Sequence, residues 1–199
     1  VVLETLRHLA RYWAPIPPAR GDERRVCVSR MSVVHDFDEI VSTISGETQD
    51  LSFDSSIEVW TVENESEGGY GALMPQARSD WLRVGTLLGV KIEDGASWGV
   101  GIVRRMSAYD HKQRYVGIQV LTRGATVVKI AAIRAAGGAE LESALLLPSN
   151  ANNTDGAAEM NLLLKPGAFS PQRSMEMRAY ERSYLLVPRR LMEGGHDFD

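Results

Sequence analysis

The sequence has a single cysteine, Cys27, so no internal disulfide can form, and this fits a reducing, cytoplasmic setting. Flanked by Val26 and Val28, Cys27 reads as a small buried hydrophobe in a strand rather than a reactive thiol. There is no apolar run near the roughly 20 residues that cross a bilayer as a helix, so no membrane span is expected. Neither is there a signal peptide, because Glu4, Arg7, His8 and Arg11 interrupt the N-terminus. A basic excess is missing too. With a formal net charge of -4, the chain lacks the cationic face that bulk nucleic-acid binding requires.

Chemistry-bearing patterns are equally scarce. His8, His35, His111 and His196 are scattered and no pair has metal-ligand spacing, so no metal is expected. Nothing around Cys27 or the serines forms a nucleophile elbow, and no catalytic residue is assigned. Gly99-x-Gly101 lacks the third glycine of a dinucleotide fingerprint and sits in a strand pattern, which excludes a Rossmann reading. Trp60, Trp81 and Trp98 read as core or barrel-rim residues rather than a stacking platform. The expectation is a non-enzymatic protein without a cofactor.

What is present is a mainly β pattern. Alternating segments at Val26–Val34, Ser56–Val62, Tyr70–Met74, Leu87–Ile92, Gly99–Met106 and Tyr115–Leu121 predict six short strands of an antiparallel barrel. In the run Arg104-Arg105, period 2 sends one side chain in and the other out. Between the first two segments, an acidic stretch from His35 to Asp54 predicts a short helix around Phe37–Ser42 and a solvated loop. Beyond Thr122, the runs Glu142–Leu147, Met160–Leu164, Ser174–Met177 and Tyr184–Val187 predict four more strands. They form either a second small β unit or an extension packed on the barrel. The loop from Ser149 to Gly156 has the composition of a mobile connection. At the other end, Val2, Leu3, Leu6, Leu9 and Trp13 lie at helical spacing, and this short amphipathic helix ends at Pro15. Its apolar face packs on the barrel, on a second copy or on an upstream domain. Val1 in place of methionine reads as a fragment or a processed form.

Two stretches carry the functional reading. Val62-Glu63-Asn64-Glu65-Ser66-Glu67-Gly68-Gly69-Tyr70-Gly71-Ala72-Leu73 reads as strand, tight turn, strand. Its glycines permit positive φ and close approach, and Asn64 and Ser66 place donors and acceptors beside the turn. Upstream, Arg20-Gly21-Asp22-Glu23-Arg24-Arg25 places two guanidinia four residues apart, between the rigid Pro15-Ile16-Pro17-Pro18 and the first strand. Read alone, the first stretch is an ordinary hairpin, and the second is a basic loop compensated by Asp22 and Glu23.

Together, Arg-x-x-x-Arg followed by Asn-x-Ser-x-x-Gly resembles the two-part signature of the PilZ family, bacterial receptors for cyclic di-GMP. The runs Gly85–Val90, Gly99–Arg105 and Tyr115–Val120 look like the later strands of that barrel. The acidic stretch makes the two motifs lie further apart than in the family. The resemblance covers residues 20–125. It implies a six-stranded PilZ-like antiparallel barrel over 20–125 and nothing about either end, where the residue patterns alone give an N-terminal helix and proline connector over 1–19 and a C-terminal β-rich extension or second small β unit over 126–199. It also implies that Arg20 and Arg24 grip guanine edges or phosphates, with Arg25 contributing or facing solvent. Asn64 and Ser66 then meet the other guanine, and Gly69 lets a base lie against the backbone. The implied role is to bind cyclic di-GMP and pass occupancy to a partner or an upstream domain, with motility, exopolysaccharide or biofilm outputs. A protein-interaction adaptor that keeps the fold but not the ligand is the alternative, as is single-stranded nucleic-acid binding on a small barrel, which the acidic balance disfavours.

Overall fold

The computed structural model describes residues 23–46, 57–75, 80–109, 113–132, 141–148, 160–179 and 182–199. The helix expected over 1–13, the proline connector, Arg20 and the loop 149–156 lie outside the described residues.

Six strands form a closed antiparallel barrel in the order β1-β2-β3-β6-β5-β4. They are β1 Arg25–His35, β2 Glu58–Ser66, β3 Gly69–Pro75, β4 Leu87–Ile92, β5 Gly99–Ala108 and β6 Gln113–Thr122. Pairing of β1 with β4, Val33 opposite Val90, closes the ring and removes any free edge. Alternation along each strand decides which side is core. Met31, Val33, Trp60, Val62, Tyr70, Leu88, Val90, Val103, Val116 and Ile118 fill the interior. Their alternates Val34, Leu87, Val100 and Ile102 form a second buried cluster on the outer wall of β1, β4 and β5.

That outer cluster exists because something covers it. Helix α1, Phe37–Ser45, inserts Phe37, Ile40 and Val41 into it. The helix starts at Asp36, whose carboxylate accepts from the Asp38 N–H at 3.0 Å. Asp36 holds a left-handed φ of 71° to turn the chain out of β1.

A second sheet covers the rest, in the order β11-β10-β7-β8-β9. Its strands are β7 Thr126–Ala132, β8 Leu141–Leu147, β9 Asn161–Leu163, β10 Met175–Ala179 and β11 Arg182–Leu186. Strand β7 was not expected from the sequence. The sheet carries buried residues on both faces. Leu145, Leu147 and Leu163 point to α1 and the barrel, while Val128, Ile130, Ala144, Leu164, Met175 and Met177 form a third cluster. The final segment returns across the molecule: Phe198 is fully buried among the outer-wall residues. Asp199 exchanges backbone hydrogen bonds with Leu164 at 2.8 and 3.0 Å. The region beyond residue 126 therefore packs on the barrel through a shared core.

Two local expectations are corrected. Arg104 and Arg105 both face outward, because the register of β5 against β6 shifts between Val103 and Arg105 and breaks the simple alternation. Cys27 is half-buried against the barrel core, but its neighbours Val26 and Val28 are exposed at 90% and 85%. Burial, and then the nearby Glu65 carboxylate, push its thiol pKa up, so it is not a reactive thiolate.

The consequence for function is that the barrel has two unlike walls. One is sealed by α1 and the second sheet. On the outer side of β2, β3 and β6, the described residues include polar side chains over glycine.

Candidate functional site

The Asn-x-Ser-x-x-Gly stretch is the tip of the β2–β3 hairpin, with Glu67 and Gly68 as the two-residue turn and Ser66 opposite Gly69. A register shift between Val62 and Asn64 bulges β2 at Glu63 and tilts the tip. Asn64 lies flat on the open wall, its amide N–H donating to the Tyr115 hydroxyl at 2.8 Å. The floor beneath it is Gly71. A Cβ there would sit 2.0 Å from the Tyr115 hydroxyl and 2.7 Å from the Asn64 amide. Further along, the Arg105 guanidinium lies 5.5 Å from the centre of the Tyr115 ring.

Gly69 serves close approach rather than backbone freedom, and neither it nor Gly71 adopts positive φ. A Cβ on Gly69 would fall 2.1 Å from the carbonyl oxygen of Ile118 in β6. That space is already taken by the adjacent strand, so Gly69 is required first by barrel packing. Two residues back, Ser66 has its hydroxyl 3.5 Å from the Gly69 carbonyl. That is too long for a strong bond, and it leaves the hydroxyl able to engage a ligand.

Beside the tip, Arg25 opens β1 opposite Glu65. A cavity of about 230 Å³ lies here, lined by Glu23, Arg25, Glu65, Ser66, Glu67 and Arg123. That is below the roughly 300–1,000 Å³ of a typical small-molecule pocket, enough for one base or phosphate group rather than a whole cyclic dinucleotide. Of the residues expected at the site, Arg25 and Ser66 line this cavity and Asn64 occupies the adjoining wall. Gly69 sits between them in the hairpin. Arg24 is exposed immediately before β1 and is not among the lining residues.

Arg123, in the turn after β6, was not anticipated. Its guanidinium donates to the Ser66 carbonyl at 2.9 Å, to the Glu67 carbonyl at 3.4 Å and to the Tyr70 hydroxyl. It also lies 5.1 Å from the centre of the Tyr70 ring. Burial raises the Tyr70 pKa, outweighing the opposing pull of Arg123, so the phenol stays neutral and accepts. Arg123 is 57 residues from Ser66 in sequence, and no local pattern links them. The three carboxylates of the lining were visible as motif spacers only. Among the described residues, no group of three or more His, Cys, Asp or Glu side chains is placed to hold a metal ion. No helix among them is long and apolar enough to cross a membrane.

The fold and the site define a small closed β-barrel domain with one open wall and an arginine- and glutamate-lined cavity at the hairpin tip. Residues 35–126 match the family model described as the middle PilZ domain of the cyclic-di-GMP receptor FimW. Over that segment the chain is similar to the PilZ family. The match contains Asn64, Ser66, Gly69 and Arg123, whereas Arg20, Arg24 and Arg25 precede it. No curated protein and no solved structure matched the sequence.

Proposed function

We propose that this protein is a non-enzymatic receptor for cyclic di-GMP, bound at the β2–β3 hairpin tip and the adjoining open wall. The observation that carries the reading is the convergence of Arg25, Ser66 and Arg123 on one cavity beside Asn64, within a PilZ-like barrel. The chemistry is complementary. Guanine offers O6 and N7 as acceptors, which a guanidinium fork matches, while its N1 and N2 hydrogens suit carboxylates and the free oxygen of Asn64. The two phosphates require cations, and Arg20 and Arg24 add these from the chain leading into β1. Because the cavity takes only part of the ligand, the remainder lies over the open wall toward Tyr115 and Arg105, where the tyrosine ring and the guanidinium plane offer stacking surface.

Occupancy passes to a protein partner or an upstream domain through the segment before β1. Pro15, Pro17 and Pro18 restrict φ, so a change of direction near Arg20 is transmitted rather than absorbed. Hydrogen exchange with and without cyclic di-GMP tests both parts. Protection is expected at residues 64–69 and again at 15–25. Protection at the hairpin alone would mean binding without this transmission, and none at the hairpin would remove it as the site.

A further inference from the structure

We propose that Arg123 is a fixed cationic contact for the ligand's phosphate, held in place before the ligand arrives. This deepens the receptor reading and rests on it. The guanidinium carries five N–H donors, and the three bonds to Tyr70, Ser66 and Glu67 engage only Nη1 and Nη2. The Nε–H takes part in none of them, and the side chain still lines the cavity. A guanidinium anchored on two carbonyls and lying against a tyrosine ring has little rotamer freedom left to lose when it meets an anion. Arg24, exposed ahead of β1, has that freedom to lose.

The charge of the lining makes Arg123 necessary. Glu23, Glu65 and Glu67 outnumber Arg25 and Arg123, so without Arg123 a phosphate would face three carboxylates and one arginine. The same arginine holds the carbonyls of Ser66 and Glu67. Ligand binding at Arg123 is thus coupled directly to the hairpin that carries the motif serine.

The test is titration of the full chain and of Arg123→Ala with cyclic di-GMP across a series of salt concentrations, with thermal melting of both. A lost charge-assisted contact predicts at least about a tenfold weaker affinity for the variant. It also predicts a shallower dependence on salt than wild type, which a merely supporting role would not produce. Affinity within about threefold of wild type in a folded variant would overturn the inference and leave the receptor reading standing. Weaker binding with an unchanged salt dependence would reduce Arg123 to a support of the hairpin and overturn the contact. No binding by the wild-type chain would remove the receptor reading and this inference with it. If Arg123→Ala melts early, Arg123→Lys and Arg123→Gln carry the test by the same criteria, Lys keeping the salt dependence and Gln losing it.

Discussion

At the residue scale, two glycines of the hairpin, Gly69 and Gly71, make opposite demands. The missing Cβ of Gly69 faces a backbone carbonyl that cannot move without moving β6. Gly69→Ala should therefore destabilise the barrel by about 1–3 kcal/mol, the usual range for overpacking, measured by chemical denaturation. The missing Cβ of Gly71 faces the ends of two side chains, Tyr115 and Asn64, which can swing away. Gly71→Ala should cost less stability but break the Asn64–Tyr115 hydrogen bond and weaken ligand binding. If both variants lose equal stability, the distinction between strand packing and site preorganisation is wrong. The sequence offered two reasons for glycine here, positive φ and close approach, and the fold uses the second, with the neighbouring strand rather than a ligand base lying against Gly69. A close contact between β3 and β6 is set by tertiary pairing, and no local pattern contains it.

At the element scale, the last described residues act as a strap. The Glu193 carboxylate pairs with both ends of the Arg104 guanidinium on β5, and Phe198 fills the outer-wall core. Hydrogen bonding from Arg104, and then its charge, pull the Glu193 pKa below its ordinary 4.5, against partial burial. A depressed folded-state pKa gives stability that is present above about 4.5 and is lost as pH falls through the lower folded value. Both side chains are more than a third exposed, 37% and 42%. Solvent screening thus limits the pair to about 0.5–1 kcal/mol. Glu193→Gln should accordingly flatten a small acid-side loss of stability, followed by thermal melting from pH 6 to 3. Truncating Phe198 to Ala should cost far more, about 3–5 kcal/mol, because it empties a fully buried site. A Phe198→Ala protein that melts with wild type would show that the strap does not bear on the core.

Legibility also varies by element. The six barrel strands were readable because each alternates apolar interior residues with different partners outside. The α1 helix was readable from its apolar spacing. Strand β7 was not expected: its Val127 and Val128 are packed on opposite faces and Ala131 and Ala132 follow, so the period-2 contrast that marks a half-buried strand is blurred. The bulge that turns Arg104 and Arg105 the same way depends on pairing with β6 and is likewise invisible in the local sequence.

At the scale of the whole molecule, one wall of the barrel is occupied by α1 and the second sheet, and the hairpin wall carries the candidate site. Local patterns marked the hairpin and the arginine stretch as candidates, but they could not assemble the cavity. Motifs are local, but the cavity joins the start of β1, the β2–β3 turn and the turn after β6. Only closure of the barrel brings Arg123 to Ser66. In ligand binding, Arg24→Ala/Arg25→Ala should leave stability unchanged, since both residues are exposed, and weaken affinity by about tenfold to a hundredfold or more.

The most direct test is calorimetric titration of the full chain with cyclic di-GMP, run beside Arg24→Ala/Arg25→Ala and Asn64→Ala. Saturable binding by the wild type, with both variants weaker and still folded, is the predicted result. No heat from the wild type at ligand concentrations of about 100 μM, equivalent to binding weaker than roughly -5.5 kcal/mol, would contradict it.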